Sequence, residues 1–100
     1  MAIVMNMKWD GVTPEQYDAA RAEVDWEGKG PDGGIFHVAW FQDGALRVVD
    51  VWESAGAFQA FVDTRLMPGV TKVGIAGEPD VDIQPAHRIF DSAHGEARSG

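Results

Sequence analysis

Cysteine is absent from this chain of 100 residues. That excludes a disulfide framework, a thiolate nucleophile and any zinc or iron–sulfur site built on sulfur ligands. Basic residues are scarce, with 8 Lys+Arg against 16 Asp+Glu and a formal charge of −8. A phosphate backbone or an anionic lipid surface needs clustered Lys and Arg, so neither nucleic acid nor a membrane is expected as a partner. No apolar run approaches the roughly 18 residues of a membrane span. The opening residues Met1 to Asn6 carry neither the charged nor the long apolar stretch of a secretory leader, so a cytoplasmic location is expected. Tyrosine occurs once.

What is present is apolar material, 45% of the residues, enough for one compact core. A monomer of this length buries only about 60–70% of its unfolded surface, which makes oligomerisation a live expectation. Residues 1–91 are expected to form a single domain and the small, polar residues 92–100 a flexible tail.

The segment Ile3 to Trp9 alternates apolar residues and stops at Asp10-Gly11, as a strand entering a turn does. Thr13 then offers a cap, Pro14 suits the first helical position, Gln16 stands where a capping-box partner belongs, and Val12 and Tyr17 occupy staple positions. Tyr17, Ala20, Arg21 and Val24 share one face of the helix that follows, which should end near Val24 or Asp25. A loop rich in glycine runs on to Gly34. Ile35 to Gln42 and Ala45 to Trp52 read as strands joined by Asp43-Gly44, the dipeptide of a type I′ hairpin. Ser54 caps a second helix carrying Phe58, Phe61, Val62 and Leu66, which Pro68 interrupts or restarts. Asp80 to Gln84 alternates as a fourth strand. The order is βαββαβ, an α+β fold of ferredoxin-like topology with an antiparallel sheet.

A two-residue turn fixes the hairpin register. It pairs Phe41 with Leu46, Trp40 with Arg47, Ala39 with Val48, Val38 with Val49, His37 with Asp50 and Ile35 with Trp52. One face then carries His37, Ala39, Leu46, Val48, Asp50 and Trp52, and the other Phe36, Val38, Trp40, Val49 and Val51. Both are apolar. An antiparallel sheet covered by helices on one side ordinarily shows a polar face to water, so the second face calls for a cover. A second copy of the same sheet supplies it, and a homodimer is expected.

At Val51-Trp52-Glu53-Ser54, followed by Phe58, Phe61, Arg65-Leu66 and Met67-Pro68, the sequence resembles the dimeric α+β barrel superfamily, specifically antibiotic-biosynthesis-monooxygenase-like proteins. Gly34 to Ala39 and Pro85-Ala86-His87 fit the same pattern, which spans Ile3 to Phe90. The resemblance implies the dimeric barrel but leaves the reaction open, since similar proteins include cofactor-free oxygenases, haem-degrading oxygenases, lactone isomerases, polyketide cyclases and members without known activity. The haem-degrading pattern has an Asn on the first strand, a Trp on the second helix and a ligating His beyond it. Asn6 matches, whereas Phe61 and Thr71 stand at the other two places. The cyclase pattern of Tyr and His meets Phe61 and Met67. What the resemblance then implies is cofactor-free oxygenation, in which a base forms the anion of an electron-rich aromatic or polyketide-like small molecule and that anion reduces O2. No cofactor is expected. Asn6, Trp52 and His37 are the candidates for the Asn, Trp and base of such a pocket. The alternatives are a non-catalytic small-molecule-binding protein, or an isomerase or cyclase using the same base.

Independently of that resemblance, His37 opposite Asp50 is the sharpest constellation. A carboxylate beside an imidazole fixes its tautomer and lets it store an abstracted proton. The competing reading is a structural cross-strand pair in which Asp50 satisfies a buried His37. The candidate catalytic set is His37, Asp50 and Asn6. Trp52, Phe61, Tyr17 and His87 are the candidate substrate-contacting residues. His37, Asp50 and His87 lack the spacing of a metal site, so no metal is expected. Gly28-Lys29-Gly30-Pro31-Asp32-Gly33 matches G-x-G-x-x-G but leads from helix to strand, the reverse of a dinucleotide site. With Trp26 beside it, this loop is a candidate lid or an ordinary connection.

Overall fold

The computed structural model describes residues 1–91 and 96–98. Strand β1, Ile3–Asp10, buries Ile3, Met5, Met7 and Trp9 and exposes Asn6, Lys8 and Asp10, the period of two that a sheet with one covered face imposes. Helix α1, Pro14–Val24, begins at Thr13. The Thr13 Oγ1 accepts from the Gln16 N–H at 3.1 Å and the Thr13 N–H donates to Gln16 Oε1 at 3.0 Å, so two otherwise orphaned donors are satisfied reciprocally. The helix ends on Asp25, whose left-handed φ of 58° turns the chain away.

Strands β2, Gly34–Gln42, and β3, Ala45–Trp52, meet at Asp43 and Gly44, both with positive φ (52° and 75°), as a type I′ turn requires. His37 pairs with Asp50, Val38 with Val49, Trp40 with Arg47 and Phe41 with Leu46, as the two-residue turn dictates. The expected pairing of Ile35 with Trp52 is corrected: a bulge makes Gly34 the partner of Trp52 and leaves Ile35 as the extra residue. The cause is crowding where the strand begins. A Cβ on Gly34 would stand 2.9 Å from the Pro31 Cγ and 3.5 Å from the Trp26 ring, so the loop folds back onto a position without a side chain.

Helix α2, Ala55–Phe61, is capped by Ser54, whose Oγ accepts from the Ala57 N–H at 3.0 Å. It widens into a π-helical turn, Val62–Leu66, before α3, Met67–Val73. Pro68 has no N–H to continue an α-helical ladder, and the wider turn brings the Met67 N–H onto the Val62 carbonyl instead. Gly69 lets α3 lie against α1, since a Cβ there would already be 3.1 Å from the Val24 Cγ2.

Strand β4, Asp80–Pro85, completes an antiparallel sheet in the order β2-β3-β1-β4, the ferredoxin-like arrangement. A small ribbon of β5, Ile89–Asp91, with β6, Glu96–Arg98, follows. Apart from Glu96–Arg98, the expected polar tail 92–100 lies outside the described residues. The core fills the space between the helices and one sheet face, where Met5, Val48 and Trp52 meet Val24, Phe58, Phe61 and Val70. On the opposite face Phe36, Val38 and Trp40 are 54%, 40% and 37% exposed, beside half-buried Val49 and Val51. Among the described residues no helix is long and apolar enough to cross a membrane.

Candidate active site

The hairpin register places His37 and Asp50 side by side on the helix-facing side of the sheet. The His37 Nδ1 lies 2.6 Å from Asp50 Oδ1, and the second carboxylate oxygen, Oδ2, accepts from the Trp52 indole N–H at 3.1 Å. Asp50 is the buried charged residue of the core at 4% exposure, and Trp52 behind it has no exposed surface. A carboxylate only accepts, and the tautomer that donates to it from Nδ1 leaves Nε2 as an acceptor.

That acceptor is already engaged. The Tyr17 Oη, carried by α1, lies 2.7 Å from His37 Nε2 with the two rings in parallel planes. Burial pushes the Tyr17 phenol above its ordinary value. The Arg21 guanidinium partly offsets this, while the carboxylates of Glu27, Asp50 and Asp18 add to it. Tyr17 is therefore held as a neutral O–H donor. Trp52, Asp50, His37 and Tyr17 form one hydrogen-bonded chain from the core outwards.

Trp26 closes over this chain from the loop after α1. Its ring centroid is 4.9 Å from that of His37, 5.6 Å from Trp52 and 5.5 Å from Phe61. Arg65, delivered by the π-helical turn, clamps the loop: its Nη2 donates to the carbonyls of Val24 at 2.5 Å, Asp25 at 3.2 Å and Lys29 at 2.6 Å. Three carbonyls at and beyond the end of α1 thus find one cation.

Between helices and sheet lies a cavity of ≈ 90 Å³ lined by Tyr17, Trp26, His37, Asp50 and Phe61 together with aliphatic core side chains such as Met5 and Val48. The hydrogen-bonded chain and the Arg21 side chain are its polar edge. The arrangement can move a proton: a donor in the cavity gives its proton to Tyr17 Oη as Tyr17 passes its own to His37 Nε2, and Asp50 faces the imidazolium that results.

The structure therefore brings His37, Asp50, Tyr17 and Phe61 around one cavity. Trp52 joins them as the hydrogen-bond donor behind Asp50 and does not line the space. Asn6 is not brought there. It alternates onto the other, exposed face of β1, because its neighbours Met5 and Met7 take the inward positions. His87 is exposed, beyond the end of β4, and is likewise outside the cavity. Among the described residues no group of three or more His, Asp or Glu side chains is placed to hold a metal ion. Sequence reasoning missed the direct bond from Tyr17 to His37 and the clamp made by Arg65. The signal for the first was the single tyrosine on the apolar stripe of α1; the second had none, since its partners are backbone atoms.

No family model matches the chain, and no curated protein sequence matches it. Solved structures do. The chain is similar to SnoaB, a cofactor-independent oxygenase from Streptomyces nogalater, at 15% identity over 85% of this chain and 91% of that one, with a TM-score of 0.62. Rv0793 from Mycobacterium tuberculosis matches at 15% identity, 84% and 93% coverage and a TM-score of 0.60. A candidate antibiotic biosynthesis monooxygenase from Caulobacter crescentus CB15 matches at 13% identity, 83% and 87% coverage and a TM-score of 0.61. At such identities the likeness establishes the fold.

Proposed function

On the premise that the chain has the antibiotic-biosynthesis-monooxygenase-like fold, we propose that it is a cofactor-independent monooxygenase acting on an aromatic or polyketide-like small molecule. The observation that carries this reading is the Tyr17–His37–Asp50 chain, with contacts of 2.7 Å and 2.6 Å, at the edge of a cavity otherwise lined by apolar side chains and Arg21. His37 is the base, Asp50 orients it, Tyr17 is the group that meets the substrate, and Phe61 and Trp26 hold the ring.

The chemistry is an activated CH2 becoming C=O. Tyr17 and His37 take one proton, and the substrate carbanion adds O2 to give a peroxide anion. The same relay returns the proton, and the hydroperoxide loses water, breaking the O–O bond and the remaining C–H bond. Substrate plus O2 gives carbonyl product plus H2O, with every electron supplied by the substrate. A low-polarity cavity raises the reactivity of the anion while the relay keeps its proton close.

The test is oxygen consumption with single-ring, polyketide-like substrates bearing an activated CH2, such as cyclohexane-1,3-dione, compared between the parent and His37→Ala. Loss of a general base lowers turnover by about 10²–10⁴-fold, with the circular dichroism spectrum unchanged. Retained turnover in His37→Ala removes the base assignment. Binding without oxygen consumption makes the chain a ligand-binding protein, and anaerobic turnover makes it an isomerase or cyclase.

We propose further that the chain works as a homodimer closed over the outer sheet face. Phe36, Val38, Trp40, Val49 and Val51 form an apolar surface there, and the Arg47 guanidinium lies 5.8 Å over the Trp40 ring. A self-complementary pairing of two such faces removes them from water.

A further inference from the structure

A second, larger hollow of ≈ 630 Å³ opens beneath the Lys29 to Gly33 loop, against α2 and the π-helical turn. Among the described residues Phe61 is the one that lines both this hollow and the inner cavity. Its ring is a partition. The Trp52 and Trp26 rings stand 5.1 Å and 5.5 Å from it, and the Arg65 guanidinium lies 5.6 Å over it.

Size makes the partition matter. At ≈ 90 Å³ the inner cavity is smaller than the roughly 150 Å³ space that takes up benzene. One ring fills it with adjustment of its walls, and a further part of a ligand that reaches past Phe61 enters the outer hollow. The two spaces differ in chemistry. The inner one is apolar except for the relay and the Arg21 side chain, whereas the outer one carries Lys29 and Arg65 together with Asp32, Glu53 and Thr64. A single charge on a ligand would meet one sign as readily as the other there, within a chain of net charge −8. A neutral arm bearing several hydroxyls can both donate to the carboxylates and accept from the cations.

We propose that the outer hollow is the second half of a bipartite ligand site, so that the ligand is a single reacting ring bearing an uncharged, polyhydroxylated arm of the glycosyl type. This rests on the aromatic ligand assigned above to the inner cavity, and it adds the arm and its chemistry. Phe61 is then the residue that sets how much of the ligand is admitted.

Isothermal titration calorimetry with phenol, 4-hydroxyphenyl β-D-glucoside and 4-hydroxyphenyl sulfate tests it. The expected result is a glucoside at least about tenfold tighter than phenol, a difference of about 1.4 kcal/mol, with the sulfate gaining nothing. Ala60→Trp fills the outer hollow from an exposed position on α2 that does not line the inner cavity. It should erase the glucoside's advantage and leave phenol binding unchanged. A glucoside no tighter than phenol, a sulfate tighter than the glucoside, an Ala60→Trp variant that weakens both probes equally, or no binding of any probe at millimolar concentration overturns the proposal. Oxygen consumption is a separate readout. Two-part binding without turnover overturns the oxygenase reading alone, and turnover of ring substrates without an arm effect overturns this one alone.

Discussion

Tyr17 Oη and His37 Nε2 are 2.7 Å apart, while the other imidazole nitrogen is held by Asp50 at 2.6 Å. Both imidazole nitrogens are engaged. In the proposed reaction a proton that reaches His37 from the cavity comes through the phenol, which puts a tyrosine on α1 in front and the proposed base behind it.

The single tyrosine makes this relationship measurable. Burial raises the Tyr17 pKa above 10.0, so the tyrosinate absorbance near 295 nm should rise with a midpoint above 10.0 in the folded protein and return to the ordinary value in denaturant. The sign for stability follows. Below pH 10.0 both states keep the proton. As the pH rises towards the folded-state value only the unfolded chain gives it up, and stability is lost. Denaturant titrations from pH 8 to 11 should show a decline that is shallower in Tyr17→Phe.

Asp50 accepts from both His37 and Trp52 inside the core. Asp50→Ala leaves the buried Trp52 N–H without a partner, at about 1–3 kcal/mol, and frees the half-buried His37 ring to change tautomer. Urea unfolding should show the loss in stability. Asp50→Asn, which keeps the shape but turns a donor towards one of the two N–H groups, should fall between the parent and Asp50→Ala in stability and remain as inactive as the latter.

Arg65 ties the loop bearing Trp26 to the π-helical turn. Arg65→Met removes three contacts to carbonyls and should lower stability by about 1–3 kcal/mol. Trypsin should cut after the exposed Lys29 several-fold faster than in the parent, and tryptophan emission should shift to the red as Trp26 leaves its place over His37. Unchanged cleavage would show that the loop holds itself.

The outer sheet face predicts a change of mass. Val38→Asp places a charge in the middle of the proposed pairing surface, where an unpaired carboxylate is strongly disfavoured. Sedimentation should give a dimer for the parent and a monomer for Val38→Asp at the same concentration, with the circular dichroism spectrum retained.

Local rules made much of this molecule legible before any coordinates. The capping box at Thr13, the left-handed pair Asp43-Gly44 and the alternation along β1 are contests between near neighbours in the chain, so residue type alone decides them. The facing of His37 and Asp50 belongs with them, because a two-residue turn counts outward without error as far as Phe36. Other features depend on atoms far apart in sequence. The bulge at Ile35 follows from the loop packing on Gly34. Tyr17 met His37, and Arg65 met the end of α1, only when helices and sheet had been laid together. Residue patterns set which groups lie on a given strand or helix face, but which faces touch is decided by how the layers fill a common volume.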